Sequence, residues 1–341
     1  MILAGDIGGT KALLALHADG GSTPTFERRY ASREFADFES LLARFLSEAG
    51  AASRAGPCIE AACLGVAGPV LGERVAMTNL PWIVNGAKLR ARFAIARVRL
   101  LNDFEAAAWG VDQLAPDDRV TLQAGEAVPE APRVVLGAGT GLGIAYVIPG
   151  EDGARPIAGE GGHGAFAPAN EEQVELWRHL HRRIGRVTLE HVLSGAGLAR
   201  IHDFVRERGG VEGSAELGAM MQAADPAAVI AHYAIERADP LARAVLDLFI
   251  ACYGAAAGDH ALNAMARGGV FVAGGIAPGI LRRLQAGGFV AAFNDKGIYS
   301  EQLRRIPVHV VVNERLGVIG AAAAARRSIA ASITRVTGEP C

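Results

Sequence analysis

Hydrophobic and polar residues along this chain follow two periods. Short apolar runs bounded by glycine, proline or acids predict strands; apolar residues three and four apart predict helices. Asp37 is placed to cap a helix with Phe38, Leu41, Leu42, Phe45 and Leu46 on one face and Gly50 as its stop. Strands are predicted around 61–66, 74–78 and 98–101, and a helix from about Phe104 that includes 105–109. Residues 114–133 carry Pro116, Pro129 and Pro132 among acids and a glycine, without sustained periodicity, and predict a domain boundary. Asn170 then caps a helix with Glu171 and Glu172 in its first turn, Arg182 and Arg183 in its last, and Gly185 beyond. Asp225-Pro226 and Asp239-Pro240 each join a cap to a proline at the first helical position. The second opens a long helix containing Val245, Leu248 and Cys252 that ends before Gly268. Strands at 270–273 and 308–312 follow, and a last helix runs from Leu316 to about Arg327.

This alternation predicts an α/β protein of two domains. The last helix follows its strand so closely that it is expected to pack back on the first domain. That domain would be discontinuous, 1–113 plus 314–341, with 114–313 as the second.

Composition narrows the function classes. The chain has 341 residues, 50% hydrophobic and 21% charged, the balance of an ordinary globular protein. With 34 Lys and Arg against 36 Asp and Glu, no basic surplus exists to track a nucleic-acid backbone. The four cysteines, Cys58, Cys63, Cys252 and Cys341, lack metal or disulfide spacing and read as free, buried thiols of a reducing compartment. No basic start precedes the opening Met1-Ile-Leu-Ala run as a signal peptide would need. No charge-free apolar stretch reaches the roughly 18 to 20 residues of a membrane span. A cytoplasmic protein that binds neither nucleic acid nor membrane is expected.

Two segments share one plan. Ile2-Leu-Ala-Gly5-Asp6-Ile7-Gly8-Gly9-Thr10 and Val134-Val-Leu-Gly137-Ala-Gly139-Thr140-Gly141 each run from an apolar strand into glycines with a threonine, then into more apolar residues. Ala and Leu in 12–16 also suit a helix, but Asp19-Gly20-Gly21 ends that run early, so both segments read as strand–turn–strand hairpins. A Walker A loop or a dinucleotide fingerprint needs a helix after its glycines, so neither fits. Two hairpins, one per domain, suit a polyphosphate gripped from both sides: glycines bring backbone N–H groups to phosphate oxygens, and threonine hydroxyls add donors. Asp6 is placed to hold a magnesium ion, directly or through water. A third glycine pair, Gly274-Gly275, ends the strand at 270–273 before a helix expected near Pro278 and reads as an adenosine platform. Each loop alone also reads as an ordinary tight turn.

With these loops, L-N-D-F-E-A at 101–106, G-A-G-T-G-L-G at 137–143, E-G-G-H at 160–163 and V-A-G-G-I-A-P at 272–278 stand in the order found in the bacterial glucokinases, which this chain resembles from residue 2 to about 325. The resemblance implies a two-domain actin-like ATPase (ribonuclease-H-like) fold with a cleft between the domains. It implies ATP and Mg2+ as cofactors, glucose as substrate, and a homodimer. The glycine loops mark only the superfamily; N-D and E-G-G-H are the specific part. By similarity Asp103 is the general base that takes the proton of the sugar 6-hydroxyl. By similarity too, Asn102, Glu160, His163 and Glu190 bind glucose, and Asn79 lines the cleft. Read without the resemblance, an aspartate before a helix is as well placed to be its cap. Trp82 reads as core, and Lys11 as solvated or touching a phosphate. The absence of cysteines between Cys63 and Cys252 separates the chain from zinc-binding repressor/sugar kinases. A chaperone-type ATPase would lack the E-G-G-H loop, and a repressor would need a DNA-binding helix pair before the first hairpin. A hexose kinase is expected, its cleft closing on sugar to exclude water.

Overall fold

In the computed structural model, which describes residues 1–18, 21–52, 58–151 and 153–337 (the last seven by backbone alone), the opening apolar run is strand β1 (Ile2–Ile7). It turns back as β2 (Lys11–His17), followed by β3 (Pro24–Ala31), helix α1 (Phe38–Ala52) and β4 (Ala61–Val66). A small antiparallel sheet of β5 (Val70–Leu71), β6 (Arg74–Ala76) and β7 (Ile83–Asn85) leads to α2 (Gly86–Phe93), β8 (Arg97–Asn102) and α3 (Asp103–Gly110). The main sheet has the order β3-β2-β1-β4-β8, antiparallel across the two hairpin pairings and parallel from β1 to β8. Strand alternation sends Leu3 and Ile7 to one face, against Phe38, Leu41, Leu42 and Phe45 of α1, and Ile2 and Ala4 to the other. That second face is covered by the C-terminal helix Leu316–Thr337 through Val318, Ala321, Ala322 and Ala325. These elements form one compact unit, Met1–Ala115 with the segment that begins at Glu314; Pro116–Asn313 forms the other.

The second unit contains β9 (Arg119–Gln123), β10 (Arg133–Ala138), β11 (Leu142–Ile148) and β12 (Arg155–Gly159). Helices α4 (Glu171–Ile184), α5 (Leu189–Val192), α6 (Gly195–Arg208), α7 (Ala215–Ala223), α8 (Pro226–Ile235) and α9 (Pro240–Ala264) follow, then β13 (Gly269–Ala273), α10 (Ile276–Gly279) and β14 (Val308–Val311). Its sheet order is β12-β11-β10-β13-β14-β9. The first five positions repeat the first unit: a hairpin pair, a third antiparallel strand, and two parallel strands beyond the first.

Several local expectations stand in the structure. Asp37 Oδ1 accepts from the Ser40 N–H at 2.7 Å, and Asn170, Asp225 and Asp239 cap α4, α8 and α9. Gly185 ends α4 at φ +71°, and Trp82 is buried. Others are corrected. Gly50 does not stop α1, which runs on to Ala52. The boundary stretch 114–133 holds β9, which pairs antiparallel with β14. Its burial is partial on both faces, so no apolar alternation announced it. The strand expected over 74–78 ends at Ala76, and the last helix continues well past Arg327. Cys58 is exposed, whereas Cys63 and Cys252 are buried free thiols; Cys341 and the Asp19-Gly20 stop lie outside the described residues. Helix α9 is long and apolar enough to cross a membrane by length and composition, yet Leu246, Phe249, Tyr253 and Ala257 are buried among the core residues of its unit.

Candidate active site

In the first unit the site grows from the ends of β1 and β8. Period-2 alternation puts Asp6 on the face that the C-terminal helix covers. Gly317 leaves room for it, since a Cβ there would stand 2.6 Å from Asp6 Oδ2. Burial, and next the charge of Asp103, push the Asp6 carboxyl up to about 7, against a smaller opposing pull from Arg29. Such a group is neutral or charged according to small changes around it, a feature common at functional sites.

Asn102 and Asp103 divide the work at the start of α3. Asn102, extended at φ −63° and ψ 151°, is the N-cap: its Oδ1 accepts from the N–H of Phe104 at 2.8 Å and of Glu105 at 3.4 Å. Its Nδ2 donates to the Gly68 carbonyl at 3.4 Å. Asp103 is therefore not the cap but the first helical residue, with Oδ1 accepting from the Phe104 N–H at 2.9 Å. Gly65 lets this corner close: a Cβ there would lie 2.7 Å from Ala106 Cβ and 3.7 Å from Asp103 Cα.

The first turn is held from behind. Gly8 N–H donates to the Lys11 carbonyl at 2.9 Å, and buried Ser32 clamps both sides, its N–H donating to Thr10 O at 3.0 Å and its Oγ to Gly8 O at 2.8 Å. Thr10 is exposed at the tip and Gly9 half-buried. Gly5 and Ile7 are buried within β1; a Cβ on Gly5 would meet Leu14 and Leu64 at 2.7 Å, so both residues build the hairpin rather than its outer turn. Asn79 is exposed and packs on the turn, 2.8 Å from where a Cβ of Gly9 would be.

The second unit repeats the turn with other braces. Gly137, buried, pairs with Gly143; Gly139 N–H donates to Gly141 O at 2.8 Å, and Thr140 is exposed at the tip. Gly139 O accepts from the Gly195 N–H at 2.9 Å. Gly274 adopts φ +84° and abuts this hairpin, for a Cβ there would fall 2.6 Å from Ala138 O; only glycine meets both demands. Gly275 is exposed beside it, and α10 starts at Ile276, before the Pro278 where a helix was expected.

Glu160 precedes and His163 ends a 3-10 turn, Gly161–His163, with their side chains largely exposed and His163 Nε2 4.0 Å from Glu160 Oε2. Gly162 packs directly on the Leu142 carbonyl, and Gly161 on Ile144 and His260, which seats the turn on β11. Glu190 sits apart from these two side chains in its bonding: its Oε2 accepts from the Leu142 N–H at 2.9 Å, at the foot of the glycine turn. Asp6, Asn102, Asp103 and Asn79 thus belong to the first unit, and the second turn, Gly274, Gly275, Glu160, His163 and Glu190 to the second. Ser32, Gly65 and Gly317 carry no sequence signal of their roles, since each acts through a fold contact distant in the chain. Among the described residues no cluster of three or more His, Cys, Asp or Glu is arranged to hold a metal.

Comparison with known proteins finds relatives over nearly the whole chain. A glucokinase of Synechocystis sp. is 40% identical, covering 96% of this chain and 98% of its own. The crystal structure of a glucokinase from an Antarctic psychrotroph superposes with a TM-score of 0.81 at 30% identity, covering 96% and 98%. A ROK family glucokinase from Streptomyces griseus, in complex with glucose and AMPPNP, is 21% identical with a TM-score of 0.64, covering 96% and 99%, and shares the actin-like ATPase fold. The Glucokinase family model matches residues 3–328, a span that takes in both glycine hairpins, the Asn102–Asp103 corner and the Glu160–His163 turn, and the chain belongs to the glucokinase family.

Proposed function

We propose that this protein transfers the γ-phosphoryl group of ATP to the 6-hydroxyl of glucose, with Asp103 as general base. The sugar oxygen attacks the γ-phosphorus, the bond to the β–γ bridging oxygen breaks, ADP leaves, and the hydroxyl proton passes to Asp103. The observation that carries this reading is the division of labour at α3: Asn102 caps the helix, so the Asp103 carboxylate is not required as the cap. The ligands of the Streptomyces griseus relative, glucose and AMPPNP, support the substrate pair.

The remaining roles follow from chemistry. Exposed Thr10 and Thr140, with the glycine N–H groups beside them, suit phosphate oxygens, and Gly274 with Gly275 offers flat backbone to an adenine. Glu160 and His163 present an acceptor and a donor to neighbouring sugar hydroxyls. Asp6 would suit a magnesium ion: burial, and next the charge of Asp103, make its bare carboxylate costly, a divalent cation would relieve that cost, and Mg2+ usually takes one or two carboxylates together with phosphates. When bound, the ion neutralises charge on the phosphate oxygens. A cytoplasmic homodimer completes the reading. A coupled assay with ATP over a panel of hexoses tests it: glucose should be turned over fastest, and no turnover with any hexose would overturn it.

A further inference from the structure

Helix α5 is only four residues long, yet two of them are tied to different parts of the site. Leu189 donates its N–H to Gly164 O at 2.9 Å, directly after the Glu160–His163 turn. Glu190, next in sequence, accepts the Leu142 N–H on Oε2 at the foot of the second glycine turn. The Leu142 carbonyl is in turn covered by Gly162 of the Glu160–His163 turn. The segment is braced further on, where Ser194 Oγ donates to Glu190 O at 2.8 Å and Gly195 N–H to Gly139 O at 2.9 Å. Gly141 leaves space for the carboxylate, since a Cβ there would collide with Glu190 Oε2. One residue, Leu142, is thus pinned through its N–H by Glu190 and at its carbonyl by the sugar turn.

We propose that Glu190 is a positioning residue that sets the shape of the second glycine turn, and that through it an occupied sugar turn raises affinity for the nucleotide. The proposal rests on the functional reading above and adds to it. A carboxylate has two oxygens: Oε2 holds the hairpin, which leaves Oε1 for a sugar hydroxyl, and a ligand on one oxygen restrains the other. A coupling of this kind is reciprocal, so nucleotide must raise sugar affinity by the same factor.

The test compares the full chain with Glu190→Gln and Glu190→Ala, titrating AMPPNP by calorimetry without glucose and with saturating glucose, alongside KM and kcat for both substrates. Gln keeps a carbonyl oxygen for the Leu142 N–H and should bind AMPPNP within about threefold of wild type, whereas Ala should weaken glucose-free AMPPNP binding by roughly tenfold, the scale of one lost charge-assisted hydrogen bond. The gain in AMPPNP affinity on adding glucose should survive in Gln and vanish in Ala. If Ala raises only the KM for glucose and leaves glucose-free AMPPNP affinity unchanged, Glu190 is a sugar ligand alone and the proposal falls. If Gln loses as much AMPPNP affinity as Ala, the hydrogen bond is not the link and the proposal also falls. Absence of glucose turnover in the wild type would instead defeat the functional reading, while the glucose-free titration still decides whether Glu190 shapes the turn.

Discussion

The two glycine hairpins occupy the same place in sheets of the same strand order, yet they differ in chemistry. In β1 the residue before the last is Asp6; at the matching position of β10 it is Gly137. The strand at the far parallel position ends in Asn102-Asp103 in the first unit and in neutral Val311-Val312 in the second. The first turn is braced by a hydroxyl, Ser32, and the second by a carboxylate, Glu190. One frame therefore serves two purposes. Asp6 and Asp103 stand at the strand ends of the first copy, whereas the acid beside the second turn, Glu190, comes from a helix outside the sheet.

Four experiments sharpen or break this contrast. Asp103→Asn should lower kcat by roughly a thousandfold, the scale of a lost general base, with glucose and AMPPNP binding retained. Near-normal turnover would remove the proton chemistry from the first unit. Gly137→Asp would write the first hairpin's acid into the second, where Gly137 is buried and faces Gly143. An unpaired buried carboxylate there should cost on the order of 3 kcal/mol or more in denaturant unfolding. A neutral outcome would mean the frame tolerates acid equally in both copies.

Asp6 adds a pH dependence of definite sign. Its folded value, about 7, lies above its ordinary 3.8, so the folded state holds the proton more tightly. Its contribution to stability is full below the ordinary value and is lost as pH rises through about 7, at up to about 1.4 kcal/mol per pH unit. Asp6→Asn should flatten that decline, making the variant more stable than wild type at pH 8 while impairing catalysis; identical pH profiles of unfolding would contradict the desolvated acid. The smallest effect belongs to Ser32→Ala, which removes one hydrogen bond behind the first turn. It should cost about 1 kcal/mol of stability and raise the KM for ATP severalfold, with the KM for glucose little changed.

Local chemistry was the legible part of the sequence. Asn170, Asp225 and Asp239 cap helices because a side-chain oxygen before an apolar run needs only its own neighbours. The hairpin reading of residues 2–16 held despite the helix-forming Ala and Leu there, because burial on both faces of a central strand overrides propensity. Gly50 misled because a glycine inside a helix costs only about 1 kcal/mol relative to alanine, so α1 passes through it to Ala52. The cap reading of Asp103 missed by one residue: Asn102 caps α3, and only the structure shows which of two neighbouring polar side chains is used. Glu190 was legible as a site residue only through family likeness, and its bond to Leu142 joins residues 48 apart, beyond any local pattern.

The glycine that makes room for Asp6, Gly317, has a consequence for how the protein comes into being. A chain leaving the ribosome has β1 and its aspartate first, but the helix that covers them last, after all of 116–313 has been made. At roughly 5 to 20 residues per second that interval is on the order of ten to forty seconds. Throughout it Asp6 stays wet, with a carboxylate's usual charge and none of its later proton affinity. A product stalled before residue 316 thus carries the first glycine hairpin without its covering helix, and the acid is tuned only once that helix has been made.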